Sequence, residues 1–297
     1  MKYIIYPSMD VWNYVLEGIA DRSDVVCRPL NSYCYTWQIV IRKLFVNSHV
    51  NYRLLFKPAF IRELEHLSSG DELIVCDYSE LCLLYAIADI VPSDVKKFFW
   101  IWNPIKLNQN ARFETAFTIM RKLGFTPSTF DPSDARRYKL VLFPQFFRMN
   151  QPDIRKKTEY DFYFIGFDKG RRQLIENLEK SLSSFKCFFK VVNDIKECIS
   201  YEDNISNIAK SKCLVDIVQE GQDGITLRPL EALAFKKKLI TNNKKVRELD
   251  FYNPNNIFIL GVDSMDKMNA FVKSDWTDID ERIVKNHDVN SWVENFQ

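Results

Sequence analysis

Short apolar runs alternate with helix-length amphipathic segments along most of this chain, stop once near its middle, and begin again. That rhythm leaves few architectures open, because alternating strands and helices bury their apolar runs in a parallel sheet covered by helices. In the first half, 2–6, 24–28, 72–76, 97–102 and 139–143 read as strands. Between them 11–20, 36–45, 81–90 and 113–123 read as helices; the second is identified by the spacing of Ile39, Val40, Leu44 and Phe45, and Gly124 marks the end of the last. Residues 144–159 carry two prolines and a basic cluster without an apolar period, and read as an interdomain linker. The alternation then restarts, with strands at 161–167, 187–192, 213–217, 239–241 and 257–260 and helices at 171–181, 201–209 and 229–235. The expectation is an α/β protein with two Rossmann-like domains facing across a cleft. The domains would be residues 1–150 and 151–275, with a helical tail, 276–297, returning to the first. Ligands of such sheets bind beyond the carboxyl ends of the strands.

Composition narrows the classes. The 297 residues are 46% hydrophobic and 27% charged, the balance of a globular protein. A formal net charge of +2 gives no global basic field, so nucleic acid is not an expected partner. The seven cysteines form no C-x-x-C pair and His49, His66 and His287 are far apart, which argues against zinc and against a disulfide framework. Cys27, Cys76 and Cys213 lie in apolar runs and are expected as buried free thiols. The opening run 1–7 reads as a strand rather than a leader, and no stretch approaches the ~20 apolar residues of a membrane span, so a cytoplasmic protein is expected.

Two stretches carry residue types suited to anion chemistry. In Phe164-Ile-Gly166-Phe-Asp-Lys169-Gly170-Arg171-Arg172 a strand gives way to a helix through a glycine-bearing turn. Glycine lets a ligand approach the backbone, the helix start offers unpaired N–H groups, and Lys169 and Arg171 add charge-assisted hydrogen bonds. A plain solvated turn is the competing reading. In 223–240 an acid, Asp223, and a second acid, Glu231, flank a turn holding Thr226 and Arg228, and a helix rich in small residues and an apolar strand follow. Pro229 suits the first turn of that helix. Alternatively, Glu231 is only an acid favoured near a helix start.

The second stretch resembles the donor signature of retaining GT-B glycosyltransferases, approximately Glu-Gly-Phe-Gly-x4-Glu-Ala-x-Ala-x-Gly-x-Pro-x-Ile. Gly224, Glu231, Ala232, Ala234 and Ile240 match it and Asp223 stands at the first acid, whereas the family has Glu at that first acid and has Gly, Gly and Pro where Thr226, Lys236 and Lys238 stand here. The chain's overall character, including Trp102-Asn-Pro and Thr241-Asn-Asn, also resembles bacterial glycosyltransferases of capsule and lipopolysaccharide synthesis. The resemblance implies a GT-B-like enzyme that moves a sugar from a nucleotide-sugar donor to a surface-polysaccharide or glycolipid acceptor. It implies that Gly166, Lys169 and Arg171, with Arg228, hold the diphosphate. Glu231 would accept the ribose hydroxyls, and Asp223 and Thr226 would touch the sugar or phosphates.

The first domain would then take the acceptor, glycan or lipid-linked. Asp77 and Asp10, which follow strands, are the candidate bases for an inverting transfer. Asp77 as a helix cap is the plainer alternative. No cofactor and no metal are expected, cationic side chains and helix dipoles replacing a metal ion at the leaving group. Aromatic and basic residues interleave at 43–60 and 143–157, which suggests peripheral membrane contact, with core packing as the alternative. A nucleotide-sugar hydrolase, or a non-catalytic sugar-nucleotide-binding protein of polysaccharide assembly, are the other functions this reading leaves open.

Overall fold

The computed structural model describes residues 1–77, 80–105, 110–151, 156–218 and 224–297. The chain forms two compact units, one of Met1–Pro144 with Trp292–Gln297 and one of Gln145–Ser291. Each is built on a parallel sheet.

In the first unit the strands are β1 (Lys2–Tyr6), β2 (Val25–Pro29), β3 (Glu72–Cys76), β4 (Lys96–Ile101), β5 (Phe125–Thr129) and β6 (Val141–Leu142), in the order β2-β1-β3-β4-β5-β6. The connections carry α1 (Asp10–Leu16), α2 (Thr36–Leu44), α3 (Pro58–Glu65), α4 (Leu81–Ile90), α5 (Asn110–Lys122) and α6 (Pro132–Tyr138). The order reverses between β1 and β3, a topological switch point. Helix α4 is apolar except for Asp89 and is largely buried accordingly, with Leu81, Cys82, Leu83, Leu84, Ala86 and Ile87 inside.

The pleat of β4 divides its side chains between two environments. Phe99 and Ile101 join the core formed with Leu73, Val75 and α4. Phe98 and Trp100 meet residues 292–297 instead: Phe296 packs edge-on against Phe98 at 5.3 Å, and Trp292 against Trp100 at 5.7 Å. Phe143 joins them, 5.1 Å from Phe296. Buried Lys2 fixes this return, because its Nζ donates to Glu72 Oε2 and to the Phe296 carbonyl, both at 2.6 Å.

The second unit has β7 (Tyr160–Phe167), β8 (Cys187–Val192), β9 (Ser211–Asp216), β10 (Lys238–Thr241) and β11 (Ile257–Ile259), in the order β11-β10-β9-β7-β8. Read from β8, this is the strand order of the first five strands of the first sheet, with the reversal between β7 and β9. Helices α7 (Arg172–Ser181), α8 (Tyr201–Ala209) and α9 (Leu227–Ala234) join these strands, and α10 (Met268–Lys273), α11 (Glu281–Asn286) and α12 (Val289–Val293) follow β11. Phe162, Phe164, Ile175, Val215, Ile240 and Phe258 are central to its core.

An α/β fold of two parallel sheets with alternating helices is therefore the architecture. Several elements depart from the sequence-based expectation. No strand is expected at β5, whose Thr126-Pro-Ser-Thr129 lacks an apolar run. The strand is nonetheless inside, because Ser128 Oγ donates to the Phe99 carbonyl at 3.0 Å and so satisfies the buried hydroxyl. Helices α3, α6 and α10 are likewise additional. Gly124, at φ 81°, takes the left-handed position after α5, as its place in the sequence implies. The expected linker packs rather than trails: Phe146 and Phe147 are fully buried, and the Phe147 backbone donates to the His287 carbonyl and accepts from Val289 N–H.

Truncating Phe296 to alanine removes a fully buried ring and its contacts to Phe98, Trp100 and Phe143. The expected result is a loss of about 3–5 kcal/mol from the first unit in urea unfolding followed by tryptophan fluorescence, with the second unit's transition unchanged.

Candidate functional site

The candidate site is assembled where β7 and β9, the strands flanking the second switch point, end. As β7 ends, Gly166 leaves room for a side chain to fold back over it. A Cβ at this position would stand 2.7 Å from Arg171 Nη2. Arg171 uses that space: its Nε donates to the Phe167 carbonyl at 3.1 Å and its Nη1 to the Ile217 carbonyl just beyond β9. The guanidinium also lies over the Phe164 ring, 5.4 Å from its centroid. One side chain thus ties the two strand ends together. The turn that delivers it is left-handed at Lys169 (φ 48°) and Gly170 (φ 80°). Asp168 closes it by accepting from the Arg172 backbone N–H at 3.0 Å, so one of the helix-start donors is already satisfied by a carboxylate.

From the other side comes α9. Thr226 is its N-cap; the hydroxyl oxygen accepts from Arg228 N–H at 3.2 Å, and the hydroxyl donates to Asp216 Oδ1 at 2.9 Å. Asp216, the last residue of β9, also accepts from Thr241 Oγ1 at 3.2 Å. Arg228 runs back to β7, donating from Nη2 to the Ile165 carbonyl at 3.2 Å and lying over the Tyr163 ring at 5.6 Å. Its Nη1 pairs with Glu231 Oε2 at 2.8 Å, one helical turn on.

Glu231, expected to accept ribose hydroxyls, is only 3% exposed and engaged by protein at both oxygens. Oε1 accepts from the Tyr201 hydroxyl at 2.7 Å and from Asn204 Nδ2 at 3.2 Å, while Oε2 faces Arg228. Asn204 in turn accepts from the Tyr163 hydroxyl at 2.9 Å. Sequence reasoning did not select Tyr163, Tyr201 and Asn204, since they lie on β7 and α8 and no local spacing links them to α9. The Thr241-Asn242-Asn243 run at the end of β10 does leave a signal, being polar immediately after an apolar strand. Asn242 clips β10 to β9 through paired bonds with Val218, accepting at 2.8 Å and donating at 3.2 Å. Buried Asn243 caps the next turn through Oδ1, and its Nδ2 has no hydrogen-bond partner among the described residues.

Electrostatics follow from crowding four ionisable groups at the strand ends. Burial pushes the Asp216 carboxyl above its ordinary range, against the pull of Thr226, Arg228, Thr241 and Arg171. Burial lowers Arg171, with Asp216 opposing. Burial is the largest influence on Arg228 and works against its charge, but Glu231 together with Tyr163, Tyr201 and Asp216 holds that guanidinium above its usual value. Arg228 and Glu231 therefore stabilise each other as a buried ion pair.

The structure thus brings Gly166, Arg171, Thr226, Arg228 and Glu231 together, with Lys169 in the turn between β7 and α7. Asp223 lies outside the described residues, as do Glu220 and Gln222 of the same loop. In the first unit Asp10 is exposed at the start of α1 and Asp77 directly follows β3, so both sit at the carboxyl ends of adjacent strands. Asp77 has a left-handed backbone (φ 56°) and accepts from Asn103 Nδ2 at 2.9 Å and Trp102 N–H at 3.4 Å. Burial pushes its carboxyl up to about 6 despite these bonds.

The chain's Asp-x-Asp, Asp278-Ile-Asp280, which the expectation of no metal passes over, is occupied otherwise. Asp278 pairs with Lys236 at 2.7 Å, and Asp280 caps α11 and pairs with Arg282 at 2.8 Å. Among the described residues no group of three or more His, Cys, Asp or Glu is placed to hold a metal ion, and no helix is long and apolar enough to cross a membrane. Two open grooves lie away from the strand ends. One, of about 460 Å³, is lined by Tyr3, Arg28, Glu63 and His66, and the other, of about 410 Å³, by Glu176, Lys180 and Phe185. The first is less suited to an anion, because Glu63 already pairs with Arg28 and accepts from Tyr3.

Two tests follow from these charges. Glu231→Ala strands a buried guanidinium, so a loss of about 3–5 kcal/mol is expected in urea unfolding, and Arg228→Met in the same chain is expected to recover much of it. For Asp77 the folded carboxyl titrates near 6, above its unfolded value, so the native state holds more protons between those values and stability falls as pH rises from about 4 to about 6. Asp77→Asn, which tolerates the left-handed backbone, is expected to remove that fall, worth about 2–3 kcal/mol, from the difference between the two pH–stability curves.

No family model matches this chain, and no curated protein matches it. Among solved structures, a chain of the crystal structure of accessory secretory protein 1, 2 and 3 in Streptococcus pneumoniae matches with a TM-score of 0.43 and 12% identity. That match covers 80% of the present chain and 51% of the other, so this chain spans about half the length of the structure it matches.

Proposed function

We propose that this protein is a GT-B-like glycosyltransferase whose second unit takes the diphosphate of a nucleotide-sugar donor and whose first unit takes a glycan or glycolipid acceptor. One observation carries the reading: Arg171 and Arg228 reach the ends of β7 and β9 from opposite sides, at the point where the strand order reverses. A planar guanidinium suits a diphosphate through parallel donors, and a sheet's switch point is where α/β folds receive nucleotides. The donor-like pattern of 223–240 supports the same assignment.

In this proposal Arg171, Lys169 and the Gly166 backbone meet the phosphates. Thr226 and Asp216 hold the start of α9, and the buried Nδ2 of Asn243 offers a further donor at the strand ends. Glu231 is given a positioning role: its oxygens are taken by Tyr201, Asn204 and Arg228, so it orients Arg228 rather than binding ribose. In the transfer the acceptor oxygen bonds to the anomeric carbon as that carbon's bond to the diphosphate breaks. The diphosphate leaves with the electron pair, and in an inverting reaction the acceptor proton passes to a base. Asp77, with its raised carboxyl, is the candidate for that base, and its near-neutral value suits proton transfer.

Calorimetry with UDP, GDP, CDP and ADP tests the donor site. The expected outcome is binding of one of them by the wild type, weakened at least about tenfold by Arg171→Ala, in a variant that still unfolds cooperatively but melts lower for want of the two carbonyl bonds. Gly166→Ala, which pushes the guanidinium off its seat, should weaken binding in the same direction. A wild type that binds none of the four would overturn the reading. Release of free sugar without an acceptor would make the protein a hydrolase, and binding without turnover over an acceptor panel would make it a non-catalytic assembly protein.

A further inference from the structure

Helix α2 buries polar side chains and exposes apolar ones, while Ile39 and Ile41, between the two stripes, pack partly against the core. Its buried side chains are Gln38 and Arg42, one turn apart, while Trp37, Val40 and Leu44 point to solvent along the opposite stripe. The polar side faces inward because Gln38 and Arg42 meet polar groups of other segments there. Gln38 accepts from Tyr35 N–H at 2.8 Å and donates to the carbonyls of Phe56 at 2.7 Å and Arg53 at 3.2 Å. Arg42 pairs with Glu80 at 3.0 Å and donates to Asn31 Oδ1 at 3.2 Å. The apolar side is left to water: Leu44 is 73% exposed, Val40 52% and Trp37 49%. Of the fifteen large apolar side chains that stand exposed among the described residues, six fall between Tyr35 and Leu54.

Charge defines what covers this ridge. From residue 25 to residue 62 the chain holds six Lys or Arg and no Asp or Glu. Arg28 and Arg42 are used in ion pairs with Glu63 and Glu80. Lys43 and Arg53 are exposed, and Lys57 lies over the Tyr35 ring at 5.2 Å, beside the Trp37 ring stacked on it. A symmetric contact with a second copy would set this cationic stretch against itself. The carboxylates that meet this segment, Glu63, Glu80 and Asp89, lie against Arg28, Arg42 and His49, and an apolar helix stripe with tryptophan beside Lys43, Arg53 and Lys57 suits an interface that is apolar below and anionic above.

We infer that α2 and the segment after it form a docking surface for an anionic lipid bilayer, with Trp37, Val40 and Leu44 entering the headgroup boundary and Lys43, Arg53 and Lys57 facing lipid phosphates. The surface belongs wholly to the first unit and requires no sugar nucleotide, so it stands or falls separately from the donor site.

Flotation of the full chain with phosphatidylcholine vesicles, with and without phosphatidylglycerol, tests this directly. Binding is expected only with the anionic lipid, and it should weaken as salt rises. Leu44→Glu, at an exposed position, should reduce vesicle binding at least about tenfold with an unchanged melting temperature, and Lys43→Glu with Arg53→Glu should do the same. Absence of wild-type binding, or equal binding by Leu44→Glu, would overturn the inference. So would sedimentation velocity showing a dimer that Leu44→Glu dissociates, with no vesicle binding, because the ridge would then be a protein interface.

Discussion

The buried pairing of Arg228 with Glu231 is the constraint around which the second unit's strand ends are arranged. Neither charge is tolerable there alone. The carboxylate is completed by Tyr201 and Asn204 from α8, and the guanidinium by Tyr163 and the Ile165 carbonyl from β7, so one pair locks three elements in register. Asp216 extends the arrangement to β9 and β10 through Thr226 and Thr241. Arg171 is the cation set at the edge of this network rather than inside an ion pair. Both arginines are thus held by carbonyls at the strand ends, Arg228 within an ion pair and Arg171 outside one.

Much of the fold is legible in the sequence because most strands contain continuous apolar runs, such as residues 73–76 of β3 and 98–101 of β4. Strand β5 is not, since its burial depends on Ser128 meeting the Phe99 carbonyl, a partner 29 residues away. The same limit applies to the site. Arg228 and Glu231 stand out in the sequence, but the direction in which Glu231 faces is set by Tyr201 and Asn204, which lie 30 and 27 residues earlier. Spacing therefore finds the residues and mistakes an inward-facing carboxylate for a ligand-facing one.

Helix α2 shows the reverse failure. Its apolar spacing identifies the helix, yet Val40 and Leu44 of that spacing are not the side chains it buries. They are outside, because Gln38 and Arg42 have hydrogen-bond partners on three other segments that the apolar residues lack. A periodic pattern fixes that a helix forms and which residues share a stripe; only the neighbours decide which stripe is covered.

The return of residues 292–297 to the first sheet has a consequence for biosynthesis. The ribosome must make the whole of 145–291 before Trp292 and Phe296 emerge to cover Phe98 and Trp100. At about 5–20 residues per second this interval is on the order of 10–30 s. Throughout it a nascent chain carries an aromatic sheet face still waiting for its cover, and the second unit has time to finish first.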